Sequence, residues 1–369
     1  ISRQIAQGLH LSDPQIERKV NFGHSAFDSS YVTYRGTDTY TDRPDVIYVG
    51  ANDGFLHAFD ADTGEELFGY MPSSLLEPVA DDGYAPINQL MDPEYEHRFF
   101  VDGTPTLMDA KLEREGSDQW RTVVVGTMGV GGDQVFALDV TDPESFDISE
   151  DLLWEFSDSD LERGVQKAQV GRLANGEWAA IFGSGHGASS GHLFVVNLET
   201  GDLIKKLDAG NAGLSTPVFT VDDGIVEYVY AGNMDGGLWR FDLTADKAKQ
   251  WGATKLFQTE GPEGDPQPIT SAPVIADMPR TKGERVISFG TGSFFRTGDD
   301  ADTSVQSLYG IIDEQGSSSN IQRKDLLVQE IVKDSDIEDV DVEQGGGSTE
   351  EKDFTVRQVS QNKLSDSDQ

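Results

Sequence analysis

The sequence predicts an all-β fold, a β-propeller of four-stranded antiparallel blades, and three observations carry that prediction. A short apolar strand ending on glycine recurs five times. In four copies a small-residue turn and a second strand closing on Asp or Asn follow it, and strands that open on a small residue, often with Pro, lie between the pairs. The intervals between the five glycines are 76, 57, 49 and 58 residues, a period suited to blades that bury their faces only against neighbouring copies.

Taken in order, the glycine-ended strands are Val46–Gly50, Thr122–Gly126, Ala179–Gly183, Tyr228–Gly232 and Val286–Gly290. Their partners are Leu56–Asp60, Val135–Asp139, Leu193–Asn197 and Leu238–Asp242, with Ser307–Asp313 as the fifth counterpart after a longer loop. The strands between the pairs start at Gly103-Thr-Pro105, Ala168, Ser215-Thr-Pro217 and Ser271-Ala-Pro273, and are expected nearest the central channel. Turns such as Asn52-Asp-Gly54, Asp62-Thr-Gly64 and Met234-Asp-Gly236 separate the strands. Helical patterns are almost absent.

Three segments follow. Residues 1–43 form an N-terminal arm or partial blade, with a short helix or an extended stretch near Gln15. Residues 44–315 form the propeller. Residues 316–369 form an acidic C-terminal segment, partly disordered or an unclosed last blade, beginning with a helix or strand near Arg323.

Charge narrows function. Lys and Arg number 28 against 66 Asp and Glu, a formal charge of −38, so nucleic-acid binding and adhesion to anionic lipid are excluded as electrostatic modes. The acidity suits either a high-salt habitat or an ordinary acidic exported protein. Without cysteine there is no disulfide framework, thiolate metal site or thiol nucleophile. The chain starts Ile1-Ser-Arg-Gln4 without initiator Met or signal pattern and holds no long apolar run, so a soluble fragment is expected, with no membrane insertion.

Catalytic constellations are missing. The six histidines, at 10, 24, 57, 97, 186 and 192, show no metal-ligand spacing, and no nucleophile elbow occurs. His57 aligns with Phe136, Phe194 and Trp239 and reads as a packed ring; His186 and His192, around Gly187–Gly191, are a weak metal pair. The glycine clusters at 126–132 and 290–292 precede no helix and read as hairpin turns. Asp60, Asp139 and Asp242 read as turn caps. One loop, Asp222-Asp223-Gly224-Ile225-Val226-Glu227, has the glycine and distal acid of a calcium site, but its first two carboxylates are adjacent rather than alternating. A solvated turn is the competing reading.

Several phrases together are specific: Val49-Gly-Ala-Asn-Asp-Gly-Phe-Leu-His-Ala-Phe-Asp60, His97-Arg-Phe-Phe-Val-Asp-Gly-Thr-Pro-Thr106, Leu153-Trp-Glu-Phe-Ser157, Leu214-Ser-Thr-Pro217 and Phe289-Gly-Thr-Gly292. In register from about residue 45 to about 330, they resemble the C-terminal propeller of the PilC/PilY family, type IV pilus biogenesis factors and tip-associated adhesins. The resemblance implies a quinoprotein-like propeller of about seven blades, although no closing strand is recognisable here. It also implies a non-enzymatic role in pilus extension, twitching motility and surface attachment. Pilin, minor pilins and a host or abiotic surface are the implied partners, and the implied location is the fimbrium, reached through periplasm and outer membrane.

The family's calcium loop, D-x-D-x-D-G-x-x-D, precedes its V-Y-A-G strand. Here Asp223, Gly224 and Glu227 match its end, the place of Asp222 is unassigned and the first carboxylate is missing. Ca²⁺ at Asp222, Asp223 and Glu227 is therefore expected only as a weak site completed by carbonyls or water. Two alternatives stand beside the pilus reading. A quinoprotein dehydrogenase shares the A-x-D-G-x-L-x-A-F-D-x-x-T-G-E hairpin at Ala51–Glu65 but often carries a vicinal Cys pair, which this chain lacks. An outer-membrane assembly scaffold is disfavoured by the His97–Gly103 segment.

Overall fold

The computed structural model describes residues 12–17, 19–78, 83–114, 116–278, 283–315, 321–329, 331–343 and 349–360, with backbone alone for the strands beyond 330. Residues 1–319 make one unit of five antiparallel sheets. Sheet 1 comprises β1 (Gln15–Glu17), β2 (Val46–Gly50), β3 (Leu56–Asp60) and β4 (Glu66–Tyr70). Sheet 2 holds β5 (Thr106–Arg114), β6 (Ser117–Thr127), β7 (Val135–Asp139) and β8 (Leu152–Phe156). Sheet 3 holds β9 (Gln169–Arg172), β10 (Trp178–Gly183), β11 (His192–Asn197) and β12 (Leu203–Asp208). Sheet 4 holds β13 (Val218–Asp222), β14 (Ile225–Gly232), β15 (Gly237–Asp242) and β16 (Gly252–Gln258). Sheet 5 has three strands, β17 (Val274–Asp277), β18 (Glu284–Gly290) and β19 (Leu308–Glu314).

Each sheet is laid down in chain order, and a register shift between its third and fourth strands recurs in all four complete sheets. The expected glycine-ended strands are the second strands, and their partners are the third. Sheet 1 takes β1 from the 1–43 segment, where the stretch near Gln15 is extended and Ile16 pairs with Ile47. Three residues are too few to show strand alternation in sequence. The second unit, residues 320–369, contains a 3₁₀ turn at Arg323–Asp325 and an antiparallel hairpin, β20 (Ile331–Glu343) with β21 (Thr349–Val359). No helix among the described residues is long and apolar enough to cross a membrane.

The core is divided among the sheet interfaces. Tyr48, Leu56 and Val101 pack with Val124 and Phe136 between sheets 1 and 2. Val125, Ala137 and Trp154 pack with Ala180, Phe182 and Phe194 between sheets 2 and 3. Ile181, Leu193 and Val195 meet Val229, Ala231 and Phe241 between sheets 3 and 4. Strands β7 and β10 are buried along their whole length, so they have neighbours on both faces.

The recurrent glycine follows from this packing. A Cβ at Gly50 would lie 2.5 Å from the Val101 carbonyl oxygen, at Gly183 it would run into the Leu214 and Ser215 carbonyls, and at Gly232 into Ile269. Those residues belong to the segments carrying the chain into the next sheet. At Gly126 the space is filled by the ring of Phe136, its cross-strand partner, whereas at Gly290 nothing lies within 4 Å.

Polar side chains close the turns and pin the sheets. Asp60, Asp139, Asn197 and Asp242 each accept backbone N–H groups of the turn that follows. Fully buried Asp313 of β19 accepts from Arg240 Nη1 and Tyr230 OH of sheet 4, both at 2.7 Å. Glu155 of sheet 2 accepts from Tyr70 OH and from the backbone and hydroxyl of Ser73 in sheet 1's trailing segment. His57 is a packed ring, stacked on Phe59 at 5.5 Å, but it is also an ionic pin. Its Nδ1 lies 2.7 Å from Glu66 Oε1 and its Nε2 3.1 Å from Asp53 Oδ2, so the imidazolium donates at both ends. Burial disfavours that charge; the bonds and charges of Asp53 and Glu66 outweigh it and hold the His57 pKa above its ordinary value.

Two predictions follow from these contacts. Gly183→Ala should destabilise the protein by about 2–3 kcal/mol through backbone overpacking, while Gly290→Ala should be neutral; equal thermal midpoints for the two variants would refute the crossing argument. The stabilising charge on His57 is present below about pH 6.5 and is lost as pH rises through the raised folded value. The deficit of His57→Gln relative to wild type, measured by thermal melts from about pH 6 to about pH 9, should therefore shrink with rising pH.

Candidate functional site

Asp222 ends β13 and pairs with Ile225, so the loop proposed for calcium is a two-residue turn, Asp223-Gly224. Both residues are left-handed, with φ of 48° and 76°, the Asp-Gly signature of a type I′ hairpin. Gly224 is required twice over, because a Cβ there would also run into the ring of Phe27. Asp222 and Asp223 are exposed. Glu227 stands within β14, and its Oε2 lies 4.0 Å from Nη1 of Arg285 in sheet 5.

Calcium takes six to eight converging oxygens, which a loop supplies from alternate positions. The tight turn presents no such series, and Glu227 already faces a guanidinium. The residues present do not fit a calcium ion. Among the described residues no group of three or more His, Cys, Asp or Glu is placed to hold a metal.

His186 and His192 serve separate contacts. His186 Nε2 donates to the Thr270 carbonyl at 3.0 Å and its ring stacks on Phe295 at 4.0 Å, while His192 Nδ1 lies 3.4 Å from Ser190 Oγ. Burial pushes the His186 pKa down. The loop around Gly126–Gly132 joins β6 to β7 as a hairpin turn, with no helix after it.

Sequence reasoning missed a buried polar cluster. Asp109 of β5 is fully buried and accepts from Tyr31 OH and Thr122 Oγ1, each at 2.6 Å. Its backbone carbonyl accepts from His24 Nε2 at 2.8 Å, and Arg43 Nη1 reaches Thr122 Oγ1 at 2.7 Å. Arg43 also pairs with buried Glu17 of β1 and lies 4.2 Å over the Tyr40 ring. Burial pushes Glu17 up to about 7 although Arg43 opposes the shift; burial likewise raises Asp109. The cluster fastens the N-terminal arm to sheets 1 and 2. The one sequence signal for it was an aspartate and a threonine at apolar strand positions.

Beside this cluster a cleft of about 420 Å³ opens between the arm and sheets 2 and 3, walled by Phe27, Lys111, Trp120, Arg172, Glu177 and Glu199. Lys111 pairs with Asp28 at 2.8 Å, and the Arg172 guanidinium lies 5.1 Å over the Phe27 ring. Trp120 donates from Nε1 to Ser30 Oγ at 2.9 Å. These contacts tie the arm down and assemble no nucleophile with a base.

Comparison with known proteins agrees with the repeat and its sheets. The family profile described as the PilY1 beta-propeller domain matches residues 24–337. A type IV pilus biogenesis factor PilY1 homolog of Xylella fastidiosa is 37% identical over 353 residues, covering 88% of this chain and 22% of that protein. The type IV pilus biogenesis factor PilY1 of Pseudomonas aeruginosa is 37% identical over 326 residues, covering 77% of this chain and 26% of that protein. The crystal structure of the P. aeruginosa PilY1 C-terminal domain superposes with a TM-score of 0.73 at 32% identity, over 93% of this chain and 71% of that one. With its sheets, its crossings and these relatives taken together, this chain belongs to the PilY1 β-propeller family.

Proposed function

We propose that the chain is the propeller module of a type IV pilus biogenesis factor, exported through periplasm and outer membrane to the cell surface. There it supports pilus extension, twitching motility and attachment to host or abiotic surfaces, contacting pilin and minor pilins rather than turning over a substrate. The observation that carries the proposal is the match of the family profile over residues 24–337. The chain spans 22% and 26% of the two relatives described above, so the activity of the whole protein is part of the proposal. The non-enzymatic reading is supported by the engagement of the buried histidines: ring nitrogens of His24, His57 and His186 are bonded to carbonyls or carboxylates that hold the sheets.

In-frame removal of the segment encoding residues 45–315 from the parent gene should abolish surface piliation and twitching, and plasmid complementation should restore both. Unchanged piliation on electron micrographs would refute the proposal. The purified chain incubated with pyrroloquinoline quinone, calcium and alcohols or aldehydes should reduce no acceptor dye. Chelator-sensitive dye reduction would move it to the dehydrogenases.

A further inference from the structure

We propose that the β13–β14 hairpin of this chain is held without a divalent cation, and that the Arg285 guanidinium supplies the positive charge beside Glu227. Three contacts define the hairpin. Its turn is closed by conformation, Asp223 and Gly224 both lying in the left-handed region with Asp222 paired to Ile225. Beneath the turn, the Phe27 ring packs on Gly224 so closely that no side chain fits between them. Beside it, Arg285 reaches from β18 toward Glu227 at 4.0 Å while its Nε donates to Asp277 Oδ1 at 2.9 Å. Arg285 Nη1 is buried and has no hydrogen-bond partner among the described residues, which leaves Glu227 as the charge it faces.

The consequence is a division of tasks among the acids. Asp222 and Asp223 are solvated at the tip, and Glu227 faces sheet 5, so the carboxylates do not converge on one point. The Glu227 backbone is fixed separately, its carbonyl accepting from Leu243 N at 2.8 Å. A guanidinium stays charged across the accessible pH range and is not removed by chelators. Calcium would therefore leave this hairpin unchanged, whereas losing Arg285 would leave Glu227 half-buried without its counter-charge.

The test is thermal unfolding of the whole chain in calcium at about 10⁻³ M and in chelator, for wild type, Arg285→Gln, Glu227→Gln, the double variant and Asp223→Ala. Wild type should melt at the same temperature in both solutions. Arg285→Gln should melt about 2–4 °C lower, and adding Glu227→Gln to it should restore most of that loss. A saturable calcium-dependent rise in the wild-type midpoint, abolished by Asp223→Ala or Glu227→Gln, would overturn the proposal. So would an Arg285→Gln midpoint equal to wild type. A calcium-dependent rise that survives both acid substitutions would place the ion elsewhere and uphold a metal-free hairpin. Should Arg285→Gln fail to fold, Glu227→Gln removes the same pair from its other end, a midpoint equal to wild type again overturning the Arg285 role, and the melts of wild type, Asp223→Ala and Glu227→Gln with and without calcium still decide whether the hairpin holds the ion. None of these outcomes depends on piliation, so this inference and the pilus assignment fail independently.

Discussion

A strand buried on both faces cannot be satisfied by its own sheet. β7 and β10 are in that position, and the consequence runs through the unit: each sheet is completed by the next, and segments between sheets pass tightly over the second strand's end at Gly50, Gly183 and Gly232. Apolar faces with residues such as Ile181, Phe182, Phe194 and Val195 supply the driving force. The glycines at the crossings allow it to act, since at Gly183 the next segment's carbonyls occupy the room a side chain would need. Packing and chain direction are thus set by the same positions.

Charge is distributed to suit. With 66 acidic and 28 basic side chains, most carboxylates can only be solvated, and many cap turns at the sheet edges. Several cations that are partly or fully buried stand at junctions instead. Lys111 joins sheet 2 to the arm, Lys206 joins sheet 3 to Asp158 and Asp160 behind sheet 2, and Arg240 joins sheet 4 to Asp313 of sheet 5. Exposed pairs of this sort contribute little, but a buried one such as Arg240 with Asp313 fixes how two sheets meet, because either partner alone would be costly to bury.

The repeat was legible because it lies in local sequence: Gly50, Gly183, Gly232 and Gly290 end the strands they were expected to end, Gly126 stands one residue before the end of β6, and Asp60, Asp139 and Asp242 cap turns. Long-range partners were not legible. His57 looked like a core ring because its equivalents are Phe136, Phe194 and Trp239; its two carboxylates come from a turn before it and a strand after it. The pairing of β1 with β2 was not legible either, and the Asp109 cluster draws members from the arm and from two strands of sheet 2. At the hairpin of Asp222, Asp223 and Glu227 the composition suggested a cation loop, whereas the pairing of Asp222 with Ile225 gives a turn too tight for one. Composition records which ligands exist, and register decides whether they converge.

The contact between Phe27 and Gly224 joins the arm to a turn far along the chain. The arm is made first, yet part of its docking surface, the β13–β14 turn, exists only after three intervening sheets have been synthesised. Closing so long a loop has an entropic cost that the packed sheets between must offset, so this contact depends on those sheets rather than organising them. The rings of Trp120 and Trp178, on which His24 stacks or abuts, belong to sheets 2 and 3, so most of the arm's seat is independent of that turn and the distant contact only locks it.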